Sequence, residues 1–350
     1  MFESKNLYKY AIVLGVIVVV SYFGDRVRST FDSKDKDEYE MVKKYLLNDS
    51  PLYGYNKPKL WIHTKYDVNA RKWRDFYSRN TTDLNQPYIH LTIKSIINHC
   101  ADDFHICLID DESFSKLIPT WDIDMLSTAE PMRSQYRQLG LAQLLYYYGG
   151  LIVPNSFLCT RNLKGMYEEG IAENKPFVCE AINRTTNNAN KKNGGNLLFI
   201  PSIYFMGAKK NDSIIVEYVD YLRDRSKRGY YTNEYEFLGD TEIGALGTVH
   251  RGKMNVVGGE YIGIKTNKGK QVLLEDLMED NYLDLNTSMY GIYIPEDELL
   301  IRPKFQWFAV LDSAQILETK TFLARHFKAS IVDSYYDTSK TGEIKSTVAI

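Results

Sequence analysis

Residues 133–163, RSQYRQLGLAQLLYYYGGLIVPNSFLCTRNL, constrain the fold of this chain more than any other stretch. Leu139, Ala142, Leu145 and Tyr146 recur at helical spacing, which predicts a helix with one stripe facing a core. Gly149-Gly150 ends that helix, because glycine enters the left-handed cap without a Cβ clash. Leu151-Ile152-Val153 is then a short apolar run of the β-branched type expected of a strand buried on both faces. Pro154 closes the strand and delivers Asn155 and Ser156 at its carboxyl end. In open α/β sheets that end is where ligands bind.

The elements before it repeat the same alternation. Leu60 to His63 reads as a buried strand, and Tyr88 to Asn98 as a helix striped by Ile89, Ile93, Ile96 and Ile97. Phe104 to Ile109 is a second strand. Strand, helix, strand, helix, strand in this order builds a mostly parallel α/β sheet. Asp110-Asp111-Glu112-Ser113 follows the second strand and either caps the next helix or holds a cation or a ribose. Arg133 and Arg137 lie one turn apart, where planar guanidinium groups can grip a diphosphate or form surface ion pairs.

Beyond Leu163 the chain changes character. Pro176 to Ile182 is a further strand, and Asn183 to Gly195 is an Asn-rich polar loop, either a lid or a surface insertion. Leu197 to Ala208 reads as two strands broken at Pro201-Ser202, followed by a helix from Asp212 to Arg225. Gly239-Asp240-Thr241-Glu242 opens a helix at Ile243 to Leu246. Asp240 and Glu242 are the acids of the second half best suited to a catalytic general base, unless Asp240 caps the helix. Gly258-Gly259 and Lys268-Gly269-Lys270 read as hairpin turns. Arg302 to Phe308 either grips a sugar chain or forms an edge strand. No GxxxxGK[ST] loop occurs, which argues against a P-loop nucleotidase.

A formal net charge of -2 argues against nucleic acid as a partner, since that partner needs concentrated positive charge. Cys100, Cys107, Cys159 and Cys179 lack the CxxC spacing of a zinc site; Cys100 and Cys107 either pair in an oxidising compartment or remain buried thiols. Residues 1–9 are a polar flank, and 10–24 (YAIVLGVIVVVSYFG) are uncharged and apolar. That run is shorter than the ~20 residues of a comfortable span, although Leu7 and Tyr8 extend it. Tyr22 stands where signal cleavage wants a small residue, so an uncleaved transmembrane anchor is expected. Residues 25–57 form a charged stem, 58–335 the globular domain and 336–350 a mobile tail. Lys and Arg after the apolar run would keep the domain in the cytoplasm by charge alone.

Tyr148 to Val153, within the ordered stretch from Lys59 to Arg228, resembles the nucleotide-sugar glycosyltransferases with a DXD motif, the capsular-polysaccharide synthesis type among them. That family carries a helix, Tyr-Gly-Gly and a hydrophobic strand ending in acids. Here Pro154 and Ser156, flanking Asn155, stand where its aspartates lie, and Gln138 and Leu141 stand roughly where its helix carries an acid and an arginine. The resemblance implies an A-type glycosyltransferase (Rossmann-like) fold behind an N-terminal transmembrane helix, with the domain in the secretory-pathway lumen. It implies a nucleotide-sugar donor and a glycan or glycoprotein acceptor. It places His63, Thr64 and Lys65 at the donor, unless His63 is an ordinary core or loop histidine, together with Asp110, Arg133, Arg137, Asn155 and Ser156. The family's cofactor is Mn²⁺ or Mg²⁺, which prefers hard oxygen ligands, whereas Asn155 and Ser156 offer neutral oxygens. The metal ligands are therefore left open. So is a second reading, a catalytically inactive transferase-fold protein serving as a membrane-bound assembly component.

Overall fold

In the computed structural model the described residues are 57–64, 86–119, 121–181, 199–228, 231 and 234–336. All belong to the second of two compact units, Leu47–Ile350. The expected anchor at 10–24, the stem up to 56, Lys65, the Asn-rich loop and the tail beyond Tyr336 lie outside the described residues. Among the described residues no helix is long and apolar enough to cross a membrane.

The central sheet is assembled around β1 (Lys59–His63), which lies parallel to both β2 (His105–Ile109) and β3 (Gly150–Ile152). β6 (Pro201–Ala208) runs antiparallel to β3 and to β5 (Phe177–Glu180), and β7 (Asn255–Val257) is parallel to β5. The order is β2-β1-β3-β6-β5-β7, so β6 alone runs against the other strands of the sheet. This is a mixed α/β architecture with a mostly parallel, Rossmann-like sheet, as the alternation of elements requires. A separate antiparallel ribbon pairs β4 (Phe157–Cys159) with β8 (Gly291–Tyr293).

Helices cover both faces. On one face α3 (Met132–Tyr148) packs against α5 (Ser213–Arg228) and β6, and α6 (Glu234–His250) joins them. Trp61, Ile152 and Met206 point into this layer and meet Leu139, Leu145, Ile215 and Leu222. On the other face α1 (Tyr88–Cys100) lies against β4, and α11 (Phe322–Tyr336) lies against α1. Phe205, next to Met206 and so on the opposite side of the pleat, meets Phe157 with ring centroids 5.0 Å apart.

The Gly-Gly corner fixes how β3 enters the sheet. Gly149 and Gly150 have φ values of 68° and 106°, a region that side chains strongly disfavour. A Cβ on Gly150 would stand 2.1 Å from the Lys59 carbonyl oxygen, so β3 reaches β1 only because position 150 has no side chain. The Trp61 indole N–H donates to the Gly149 carbonyl at 3.0 Å and ties the corner to β1.

Several expectations need correction. Residues 201–208 form one strand, not the second of two broken at Pro201-Ser202; proline is tolerated because it is the strand's first residue. The helix expected at Ile243–Leu246 begins at Glu234 and runs through Gly239. Its Gly244 lets the backbone approach the Tyr221 ring, which a Cβ would meet at 2.4 Å. Gly258-Gly259 leads into a 3-10 turn at Gly259–Tyr261 instead of a hairpin, whereas Gly269 does turn the chain between the bridged Lys265 and Gln271. Arg302–Phe308 is not an edge strand: a 3-10 turn at Pro303–Phe305 opens on the proline and runs into α9 (Gln306–Ala309). Cys100 and Cys107 do not pair. Cys107 lies in the core beneath α3, and Cys100 Sγ is 3.9 Å from Cys159 Sγ because α1 packs on β4; all four thiols are free.

Candidate functional site

The carboxyl ends of β1, β2 and β3 bring His63, Asp110, Asp111, Asn155 and Ser156 to one edge of the sheet. The N-terminal half of α3 adds Arg137, which is only 5% exposed. Its guanidinium takes the Asp111 carboxylate in a fork, Nε to Oδ1 at 2.7 Å and Nη2 to Oδ2 at 2.6 Å. Nη1 donates to Glu130 at 2.7 Å. His63 Nε2 is 2.9 Å from Asp111 Oδ1, and its ring stacks on Phe114 at 5.5 Å. Burial works to raise the Asp111 carboxyl, but hydrogen bonds from Arg137 and His63 outweigh it and hold the group well below the usual carboxylate range. Arg137 is desolvated too, yet Asp111 keeps it firmly protonated.

Three of the five guanidinium N–H donors of Arg137 are thus committed, and two carboxylates neutralise its charge. Arg133, one turn earlier, donates from Nε to the Thr128 carbonyl at 2.7 Å and from Nη2 to that of Leu126 at 3.3 Å. Asp110 caps the start of α2 (Ser113–Leu117), accepting from the Ser113 N–H at 2.9 Å and its hydroxyl at 2.7 Å. Thr64 closes onto β2, its N–H donating to the Ile109 carbonyl at 2.9 Å.

Past Ile152 the chain stays bound to β1, with the Val153 N–H donating to Trp61 at 2.9 Å. The Thr92 hydroxyl of α1 donates to the Asn155 carbonyl. Ser156 is fully buried; its carbonyl accepts from Ile294 at 3.1 Å, and its hydroxyl has no hydrogen-bond partner. Through β8 this position adjoins Tyr293, whose phenol is raised by burial and by the nearby carboxylates of Glu296, Asp297 and Glu242.

Glu242, on α6, is 4% exposed, and its Oε2 has no hydrogen-bond partner. Burial raises its carboxyl well above the ordinary value. Tyr88, from the opposite helical layer, feels Glu296 and Asp297 as well and is likewise pushed up by burial. Asp240 behaves differently: its carboxylate accepts from the Tyr231 hydroxyl at 3.1 Å. Both amide ends of Gln138 are buried without partners on α3.

The structure therefore gathers His63, Asp111 and Arg137 in one network, and the Ser156 end of β3 near Tyr293, itself close to Glu242. It holds Asp240 and Arg133 in separate local contacts. Sequence reasoning missed Tyr293 and Glu130. Glu130 carries a local signal, an acid just ahead of a helix whose Ser134 N–H it accepts at 3.1 Å; Tyr293 carries none, because only the β4–β8 pairing brings it there.

The residues do not suit a DXD-type metal. The side chains at the end of β3 are neutral, and the adjacent carboxylates of Asp110 and Asp111 are engaged by Ser113, His63 and Arg137. Among the described residues no three His, Cys, Asp or Glu side chains group to hold a metal ion. No family model, curated protein or solved structure matches the chain.

Proposed function

We propose that this chain is a membrane-anchored, A-type glycosyltransferase-like protein that binds a nucleotide sugar at the carboxyl edge of its sheet and passes the sugar to a glycan or glycoprotein. The observation that carries the reading is the central β3: it leaves a Tyr-Gly-Gly corner, lies between parallel β1 and reversed β6, and ends on buried polar groups. Ligands of such sheets bind at this edge.

In the transfer, an acceptor hydroxyl bonds to the anomeric carbon as the carbon–oxygen bond to the diphosphate breaks, and a base removes the hydroxyl proton. We assign that role to Glu242 over Asp240, because Glu242 lies close to Tyr293 at the Ser156 end of β3 with one oxygen unpartnered, whereas Asp240 is held by Tyr231. The residues here support a reaction that does not route through a metal.

A second reading has its own support. Arg137, the buried cation of the site, is neutralised by Asp111 and Glu130 and brings no net charge to a diphosphate. A transferase fold retained as a membrane-bound assembly component would tolerate that arrangement.

Calorimetric titration of the full chain with a panel of uridine-, guanosine- and cytidine-diphosphate sugars, with Mn²⁺ and with chelator, separates the two. Donor binding that survives the chelator, with turnover lost in Glu242→Gln, supports the transferase. Failure of every nucleotide sugar to bind removes it and leaves the assembly component.

A further inference from the structure

A cavity of about 610 Å³ opens at the end of the β4–β8 ribbon away from Ser156. Ser156 precedes β4 and Arg161 lies two residues beyond it, so the cavity is ~15 Å along the chain from Ser156 at the usual rise of an extended chain. That volume lies within the range of small-ligand sites. Its lining mixes apolar side chains, Leu283, Leu285, Met289 and Phe322 among them, with a few charged ones. Arg325 forms an ion pair with Asp280 and donates to the Asn281 carbonyl, so this pair is neutral overall. Arg161 makes no ion pair among the described residues; its Nη1 reaches only the Ser288 carbonyl, at 3.5 Å. Burial and the neighbouring Arg325 depress His326, which therefore adds no charge near neutral pH. The cavity thus carries one uncompensated positive charge.

A further feature defines what would fill it. Tyr282 is 89% exposed, while His326 rests on Phe322 with ring centroids 4.3 Å apart. An aromatic side chain held in water beside a cavity of mixed lining suits the C–H face of a pyranose. A single charge suits a carboxylate better than a phosphate dianion.

We infer that this cavity is a binding site for an acidic sugar, a uronate residue of a glycan, with the carboxylate on Arg161 and the ring against Tyr282. The site stands on its own residues and does not depend on donor binding at the carboxyl edge of the sheet.

The test is titration of the full-length chain with glucuronate and with a glucuronate-containing tetrasaccharide, against glucose and inorganic phosphate, followed by NMR or calorimetry. Arg161 and Tyr282 are exposed, so their variants keep the fold, which circular dichroism checks. Glucuronate should bind, the tetrasaccharide more tightly, and Arg161→Ala should weaken both about tenfold or more, the loss of one charge-assisted contact. Tyr282→Ala should weaken the tetrasaccharide and leave nucleotide-sugar binding unchanged. Phosphate binding as well as glucuronate would reduce the cavity to a general anion site and overturn the proposal. So would glucose binding equally well, or no binding of either uronate probe.

Discussion

On the β1–β2 side of the sheet's carboxyl edge, His63, Asp111, Arg137 and Glu130 satisfy one another completely enough to form a closed chain of charge. At the end of β3 and on α3 and α6, the Ser156 hydroxyl, both ends of the Gln138 amide and one Glu242 oxygen are buried with nothing to bond. The first group reaches water at its outer members, the Glu130 and Asp111 side chains being 49% and 17% exposed, whereas the orphaned atoms of the second are sealed from it. The first region uses its polar atoms to fasten α3 to the strand ends. The second leaves polar atoms at a cost of about 1–3 kcal/mol each, a cost that a bound ligand can remove. Satisfied and orphaned polar groups thus stand on neighbouring elements.

The sharpest attack on this contrast is Arg137→Ala. It strands Asp111 without its counter-charge and should lower the unfolding free energy by about 3–5 kcal/mol, read by urea denaturation. A loss below about 1 kcal/mol would mean that the network is not what fastens α3.

Next in size is Glu242→Gln, which should stabilise the protein at neutral pH, because the amide has no proton for the unfolded chain to release and so lacks the linkage that burial imposes on this carboxyl. The two regions should also bend the pH–stability curve in opposite directions. Asp111 is held below its ordinary value, so its contribution is complete above about pH 4 and disappears as pH falls through the lowered value. Glu242 is held above its ordinary value, so the folded state keeps a proton that the unfolded chain has released, and stability declines as pH rises from about 4. Denaturation across pH should show the second limb vanish in Glu242→Gln while the acid limb remains.

The smallest effect belongs to Ser156→Ala. Removing a buried hydroxyl with no partner should raise stability by about 1 kcal/mol, the low end of the cost of an orphaned group, measured by thermal melts, while weakening nucleotide-sugar binding if the carboxyl edge is the donor site. A large destabilisation would place Ser156 with the structural polar groups and erase the contrast.

What could be read in the sequence follows the range of the forces involved. β1, α1, β2 and β3 declare themselves through local apolar period and through Gly149-Gly150, and their order implies a mostly parallel sheet. Asp110 beside Ser113 is a local capping signal as well. The reversed β6 and the through-running α6 are tertiary facts: Pro201 and Gly239 speak as breakers locally and are overruled by strand position and helix packing. Arg137 is visible as a cation facing the edge, but its neutralisation is not, because Asp111 lies 26 residues away and arrives through the parallel pairing of β1 and β2. Tyr293 reaches the Ser156 end of β3 only across the β4–β8 ribbon, a contact between residues far apart in the chain.

The glycine at 150 has an evolutionary consequence. With the Lys59 oxygen where a methyl group would be, and a backbone angle closed to ordinary residues, mutation has no gradual route away from that amino acid. A saturation library at this codon should return a single surviving letter, while the neighbouring Leu151 tolerates other aliphatics. Substitution can alter the side chains that follow the strand and still leave the corner from which it starts untouched.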